Sequence, residues 1–125
     1  MARQQHRRPP SRTAPARPFL KWAGGKSQLI EQFEPLFPAG LSQGTLTTYV
    51  EPFVGAGAVF FHIAQRYPMQ KAYLYDINPE LVLTYTVLRS PAATKALIEQ
   101  LASLREGYLR RAEEGRKRFF YEVRE

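Results

Sequence analysis

Thr47-Thr48-Tyr49-Val50-Glu51-Pro52-Phe53-Val54-Gly55-Ala56-Gly57 is the stretch on which the fold of this chain turns. β-Branched and aromatic residues fill Thr47 to Val50, and such side chains pack well on a pleated surface, which predicts a strand. Glu51-Pro52 ends it, because proline has no N–H with which to continue a ladder. Gly55-Ala56-Gly57 then makes a tight turn. Val59, Phe60, Ile63, Ala64 and Tyr67 follow at helical spacing and predict a helix from Ala58 to Arg66. A second strand, Ala72-Tyr73-Leu74-Tyr75, ends on Asp76. Strand, glycine turn, helix, strand and acid, in that order, form the front half of a nucleoside-binding α/β unit.

Charge narrows the ligand. A dinucleotide site needs glycine at all three positions of G-x-G-x-x-G, so that a pyrophosphate can sit on the helix N-terminus. Here the third position is Phe60, and Glu51 stands just before the turn, where it would repel a pyrophosphate. An acid there suits a ligand with cationic groups, such as the ammonium and sulfonium of S-adenosylmethionine. Asp76, nineteen residues after Gly57, stands where a carboxylate accepts hydrogen bonds from both ribose hydroxyls. The glycines alone fit a plain turn equally well. Acid, turn and second acid together favour the ligand.

At 125 residues the chain has the length of one domain and can bury a core. It contains no cysteine, which excludes disulfides and thiolate metal sites. His6 and His62 are too few and too far apart for a metal cluster, and His62 falls on the polar side of its helix, where a solvated ring is expected. No apolar run approaches the roughly 18 residues of a membrane span, and the N-terminus lacks the apolar core of a signal peptide, so a cytoplasmic protein is expected. The net charge is +7. Arg3, Arg7, Arg8, Arg12 and Arg17 supply most of it from a proline-rich arm, residues 1–17, that has no acid. The remainder has 13 basic and 11 acidic residues, a balance of +2. With no large apolar side chain the arm is expected to be disordered. Phosphate contacts to DNA and a solubilising tail are both open to it.

Order is expected from Pro18. Gly24-Gly25 breaks the apolar Phe19 to Ala23 stretch, and a helix should then run to Glu34, burying Leu29, Ile30 and Phe33, with Pro35 stopping it. Lys26 falls in its first turn, where a cation opposes the helix dipole; beside two glycines this suggests an approaching carboxylate or phosphate, although spacing alone favours an ordinary solvated lysine. Trp22, the only tryptophan, fits a core or the wall of a ligand pocket, and pattern alone favours the core. Pro38 to Gly44 reads as a loop. Asn78-Pro79-Glu80 and Ser90-Pro91 are helix starts, with apolar faces at Leu81, Val82, Tyr85 and Leu88 and at Leu97, Ile98, Leu101 and Leu104. Charge thickens from Arg105 to Arg118 as a solvated or phosphate-facing segment, and Phe119, Phe120 and Val123 begin one more helical face.

Three separate motifs, in order, resemble the Dam-type DNA adenine methyltransferases: Phe19-Leu20-Lys21-Trp22-Ala23-Gly24-Gly25-Lys26, Glu51-Pro52-Phe53-Val54-Gly55-Ala56-Gly57 and Tyr75-Asp76-Ile77-Asn78-Pro79. Phe120 to Glu125 looks like the family's next helix. The resemblance implies an α/β fold, the N-terminal part of a Rossmann-like S-adenosylmethionine-dependent methyltransferase domain with a helical segment after the second strand. It divides the chain into the arm 1–17, a donor-binding part 18–89, and a helical segment 90–125 that starts the target-recognition region. It implies S-adenosylmethionine as methyl donor and the exocyclic amine of adenine in double-stranded DNA as acceptor, with the base flipped from the duplex. Carried over by position, Trp22, Ala23, Gly25 and Lys26 would line the donor's methionine end, with Lys26 facing its carboxylate. Glu51, Phe53, Gly55 and Gly57 would form the turn around it. Asp76 would hold the ribose, Phe53 and Ile77 would sandwich the donor's adenine, and Lys21 would reach the DNA.

The family's catalytic Asp-Pro-Pro-Tyr segment has no counterpart here; the sole Pro-Pro is Pro9-Pro10, between arginine and serine in the arm. Two strands alone would also leave a parallel sheet with open edges. The expectation is therefore the N-terminal part of a larger enzyme, truncated or split from its C-terminal part and inactive alone. A non-catalytic donor- or DNA-binding remnant, and a methyltransferase with an RNA or small-molecule acceptor, are the rival readings. Restriction-linked, regulatory and phage-encoded roles all fit these residues.

Overall fold

The computed structural model of the chain describes residues 14–23 and 25–124. The expected disorder of the arm falls mostly on residues 1–13, and the break at Gly24 and the end at Glu125 likewise lie outside the described residues. The chain divides into two compact units, one up to Ile77 and one from Asn78 onward. The first helix of the second unit therefore groups with the helices that follow it.

In the first unit, a 3-10 turn at Lys26–Leu29 leads into α1 (Ile30–Phe33), a second 3-10 turn at Glu34–Leu36 and α2 (Ala39–Ser42). The single helix expected up to Glu34 is thus interrupted. Pro35 occupies the start of the second 3-10 turn, where its missing N–H leaves no donor unpaired. Leu29 is 39% exposed, and only Ile30 and Phe33 of the expected buried face are half-buried. The expected loop at Pro38 to Gly44 contains α2. Pro38 supplies its N-cap with φ −63°, and Gly44, at φ 72°, takes the left-handed conformation just past its end.

β1 (Thr48–Glu51), α3 (Ala58–Arg66) and β2 (Lys71–Leu74) form the predicted strand–turn–helix–strand unit. The strands pair in parallel, Thr48 opposite Lys71 and Glu51 opposite Leu74, a pairing that needs a crossover, here α3. Side chains alternate between the two faces. Tyr49 points to α3, its ring centroid 6.1 Å from that of Phe60, and Glu51 shares its face. Val50 and its partner Tyr73 are 56% and 46% exposed on the other. The buried apolar residues of this unit, Val54, Ala56, Ala58 and Ile63, come from the glycine turn and α3. Both strands are only four residues long, so the turn carries the core.

Two expectations about α3 change. His62 is not solvated: its side chain is 11% exposed and its Nε2 lies 3.0 Å from Glu34 Oε1. A half-buried acid from the preceding 3-10 turn reaches the ring, a contact that helical periodicity does not carry. Chain contacts also extend back beyond Pro18. The Gln65 carboxamide accepts from Ala16 N–H at 2.8 Å and donates to Ala16 C=O at 2.9 Å, matching both groups of one residue's backbone.

The second unit holds α4 (Pro79–Leu88), α5 (Pro91–Leu109) and α6 (Glu113–Arg124), with α5 packed against both others. Asn78 Oδ1 accepts from the N–H groups of Glu80 and Leu81, and Ser90 Oγ from that of Ala93, so both predicted caps form. α6 starts at Glu113, well before Phe119. The Arg105 to Arg118 run is not wholly solvated: the Arg111 guanidinium lies 4.0 Å from the centre of the Phe119 ring, and Arg116 stacks over Tyr108. Among the described residues no helix is long and apolar enough to cross a membrane, and no group of three metal-ligating side chains occurs.

Candidate functional site

The two strand ends lie side by side because their ladder runs past the strands themselves. Tyr75 N–H donates to Glu51 C=O at 2.8 Å, and Val54 N–H to Tyr75 C=O at 2.9 Å. The turn is then drawn onto Asp76, whose Oδ2 accepts from Gly55 N–H at 2.9 Å. Gly55 and Gly57 have φ of 51° and 77°, values that a side chain would strain. Gly57 is also the N-cap of α3. The glycines therefore shape a turn that a carboxylate clasps.

Glu51 is 6% exposed, and a buried carboxylate must be paired and hydrogen-bonded to be tolerated. It is both. Lys26 Nζ lies 2.7 Å from Oε1, and the Tyr49 hydroxyl donates to Oε2 at 2.7 Å. Lys26 Nζ also donates to Phe53 C=O. Burial, and then the hydrogen bond to and the charge of Glu51, push the Tyr49 phenol well above its ordinary range, so it remains a donor at any physiological pH.

A cleft of about 390 Å3 opens beside this cluster. Trp22, Ala23, Gly25, Lys26, Phe53, Gly55 and Asp76 line it together, and so does Lys21. Trp22 is not a core residue: it is 40% exposed, and its Cδ1 stands 3.5 Å from the position a Cβ on Gly55 would take. The turn has no side chain there, which leaves room for the indole as a wall. Glu51 does not line the cleft and reaches it through Lys26. Gly57 is buried in the turn. Ile77 is outside the lining and 94% exposed, and Phe53 is 71% exposed, so these two have most of their surface free. Tyr49 was missed as a site residue when read as a strand former. Its place two residues before Glu51, on the same strand face, was the available signal.

Residues 22–125 match the sequence pattern of the D12 class N6 adenine-specific DNA methyltransferases. The chain belongs to that family. Among its relatives, the type II methyltransferase M.MjaIII of Methanocaldococcus jannaschii is 47% identical over 87% of this chain and 37% of its own length. The type II methyltransferase M1.LlaDCHI of Lactococcus lactis subsp. cremoris is 34% identical over 86% of this chain and 32% of its own. The DNA adenine methylase of Haemophilus influenzae is 40% identical over 58% of this chain and 22% of its own. The chain thus spans little more than a third, at most, of the length of these relatives. No solved structure matches it. The parallel strand pair with its crossover helix is compatible with part of an α/β methyltransferase.

Proposed function

We propose that this chain is the donor-binding part of a site-specific DNA adenine methyltransferase with a Rossmann-like fold. S-adenosylmethionine is its methyl donor and double-stranded DNA its acceptor. The observation that carries the reading is the Lys26–Glu51 pair at the cleft. The donor's amino-acid end is a zwitterion. Its carboxylate fits the Lys26 ammonium and its own ammonium fits Glu51, so four charges alternate in sign and none is buried alone. A pyrophosphate would meet Glu51 and Asp76 with the wrong sign.

The remaining residues fit the rest of the donor. Asp76 offers its carboxylate to the ribose hydroxyls, Trp22, Ala23 and Gly25 flank the methionine end, and Gly55 and Gly57 let the backbone approach. Phe53 and Ile77 offer exposed apolar surface to the adenine ring. Lys21, on the cleft wall, is placed here as the DNA contact, and the arginines of the arm add phosphate contacts without sequence choice. The family's Asp-Pro-Pro-Tyr chemistry, absent from these 125 residues, is assigned to another part of the enzyme.

Calorimetric titration of S-adenosylmethionine into the chain tests this. One saturable site is expected, and Asp76→Ala should weaken it by roughly 1–3 kcal/mol, the cost of leaving ligand hydroxyls unpaired. Absence of binding, or unchanged affinity in the variant, overturns the donor reading or the ribose role respectively.

A further inference from the structure

We propose that Tyr49 is a positioning residue of the donor site, fixing the Glu51 carboxylate so that its Oε1 edge faces a cation. The inference rests on the donor reading above and extends it to a residue outside the cleft. A carboxylate buried to this degree can turn about its last torsion, which is broad and roughly two-fold. Here the phenol holds one oxygen and Lys26 the other. The Tyr49 hydroxyl occupies Oε2 at 2.7 Å, while Lys26 meets Oε1 at the same distance. The two oxygens therefore have distinct tasks, one held by a neutral donor and the other turned to positive charge.

The ring that carries the hydroxyl is itself held. Tyr49 packs on Phe60, Phe60 on Phe61, and Phe61 edge-on against Phe19, with centroids 6.1, 5.3 and 6.2 Å apart. Phe19 immediately precedes the Leu20 to Ala23 wall of the cleft. One row of rings thus runs from the Tyr49 phenol on Glu51 to the residue that precedes the Leu20 to Ala23 wall. Phenylalanine at position 49 would keep this row and remove the hydroxyl alone, which separates positioning from packing.

The test compares two ligands on two proteins, each by calorimetry. S-adenosylmethionine carries the α-ammonium and the sulfonium; 5′-methylthioadenosine has the same nucleoside with neither the amino-acid end nor the sulfonium charge. Tyr49→Phe should bind S-adenosylmethionine about tenfold more weakly, the effect of one charge-assisted hydrogen bond, and bind 5′-methylthioadenosine as the wild type does. Equal weakening of both ligands would assign Tyr49 to structure alone and overturn the proposal. So would unchanged affinity for both. Wild-type chain that binds 5′-methylthioadenosine but gains nothing from the amino-acid end would overturn the role of Glu51 while leaving the nucleoside site standing. Wild-type chain that binds neither overturns the donor reading itself, and the proposal with it.

Discussion

At the scale of single residues, the site is a problem of one buried charge. Glu51 comes out of water, and Lys26 and Tyr49 between them satisfy both its oxygens. The cost appears on Tyr49, whose proton the folded chain holds more tightly than the unfolded chain, where a phenol titrates near 10. A group with a raised folded-state pKa contributes stability that is complete below the unfolded value and lost as pH rises through the folded one. Melting temperature should therefore fall as pH rises above about 10, and Tyr49→Phe should flatten that fall. Thermal melts of both proteins between neutral and strongly alkaline pH measure it; parallel curves would remove the phenol from the account.

At the scale of elements, short local signals fixed where helices begin. Asn78 and Ser90 each place a side-chain oxygen on backbone N–H groups of the first turn, and Pro79 and Pro91 follow them directly. Asn78→Ala should cost about 1 kcal/mol, a typical loss for a polar N-cap, read as a lower denaturant midpoint with unchanged slope. The interrupted helix between Lys26 and Leu36 shows where such signals mislead. Apolar spacing at Leu29, Ile30 and Phe33 is genuine, yet Pro35 and the Lys26 contacts to Glu51 and Phe53 set the local path. Likewise Arg111 and Arg116 look like solvated charge in sequence and are stacked on rings in the fold.

At the scale of the whole molecule, methyl transfer requires the donor sulfonium, the target nitrogen and an acceptor for its protons in one near-attack geometry. On the proposed reading, the cleft supplies residues for the first. Of the two acids, Asp76 lines the cleft and is assigned to the ribose, and Glu51 stands behind Lys26 and is assigned to positive charge, so neither is left for the third role. The purified 125-residue chain is therefore expected not to methylate unmethylated DNA in a radiolabelled-donor assay. Incorporation exceeding one methyl per chain and abolished by Asp76→Ala would place acceptor chemistry among these residues.

The sequence by itself determined the strand–turn–helix–strand unit, its glycines, the two caps and the family motifs. Each rests on interactions between residues a few positions apart, or on backbone conformations that a single residue type permits. Only the tertiary structure decided which side chains share a site. Lys26 meets Glu51 across 25 positions, Gly55 meets Asp76 across 21, and His62 finds Glu34 across 28. It also set Trp22 on the cleft wall rather than in a core, and the Tyr49 hydroxyl on Glu51. These outcomes depend on where the chain returns in space and on which polar groups are then left to satisfy one another away from water, and neither is encoded in spacing along the chain.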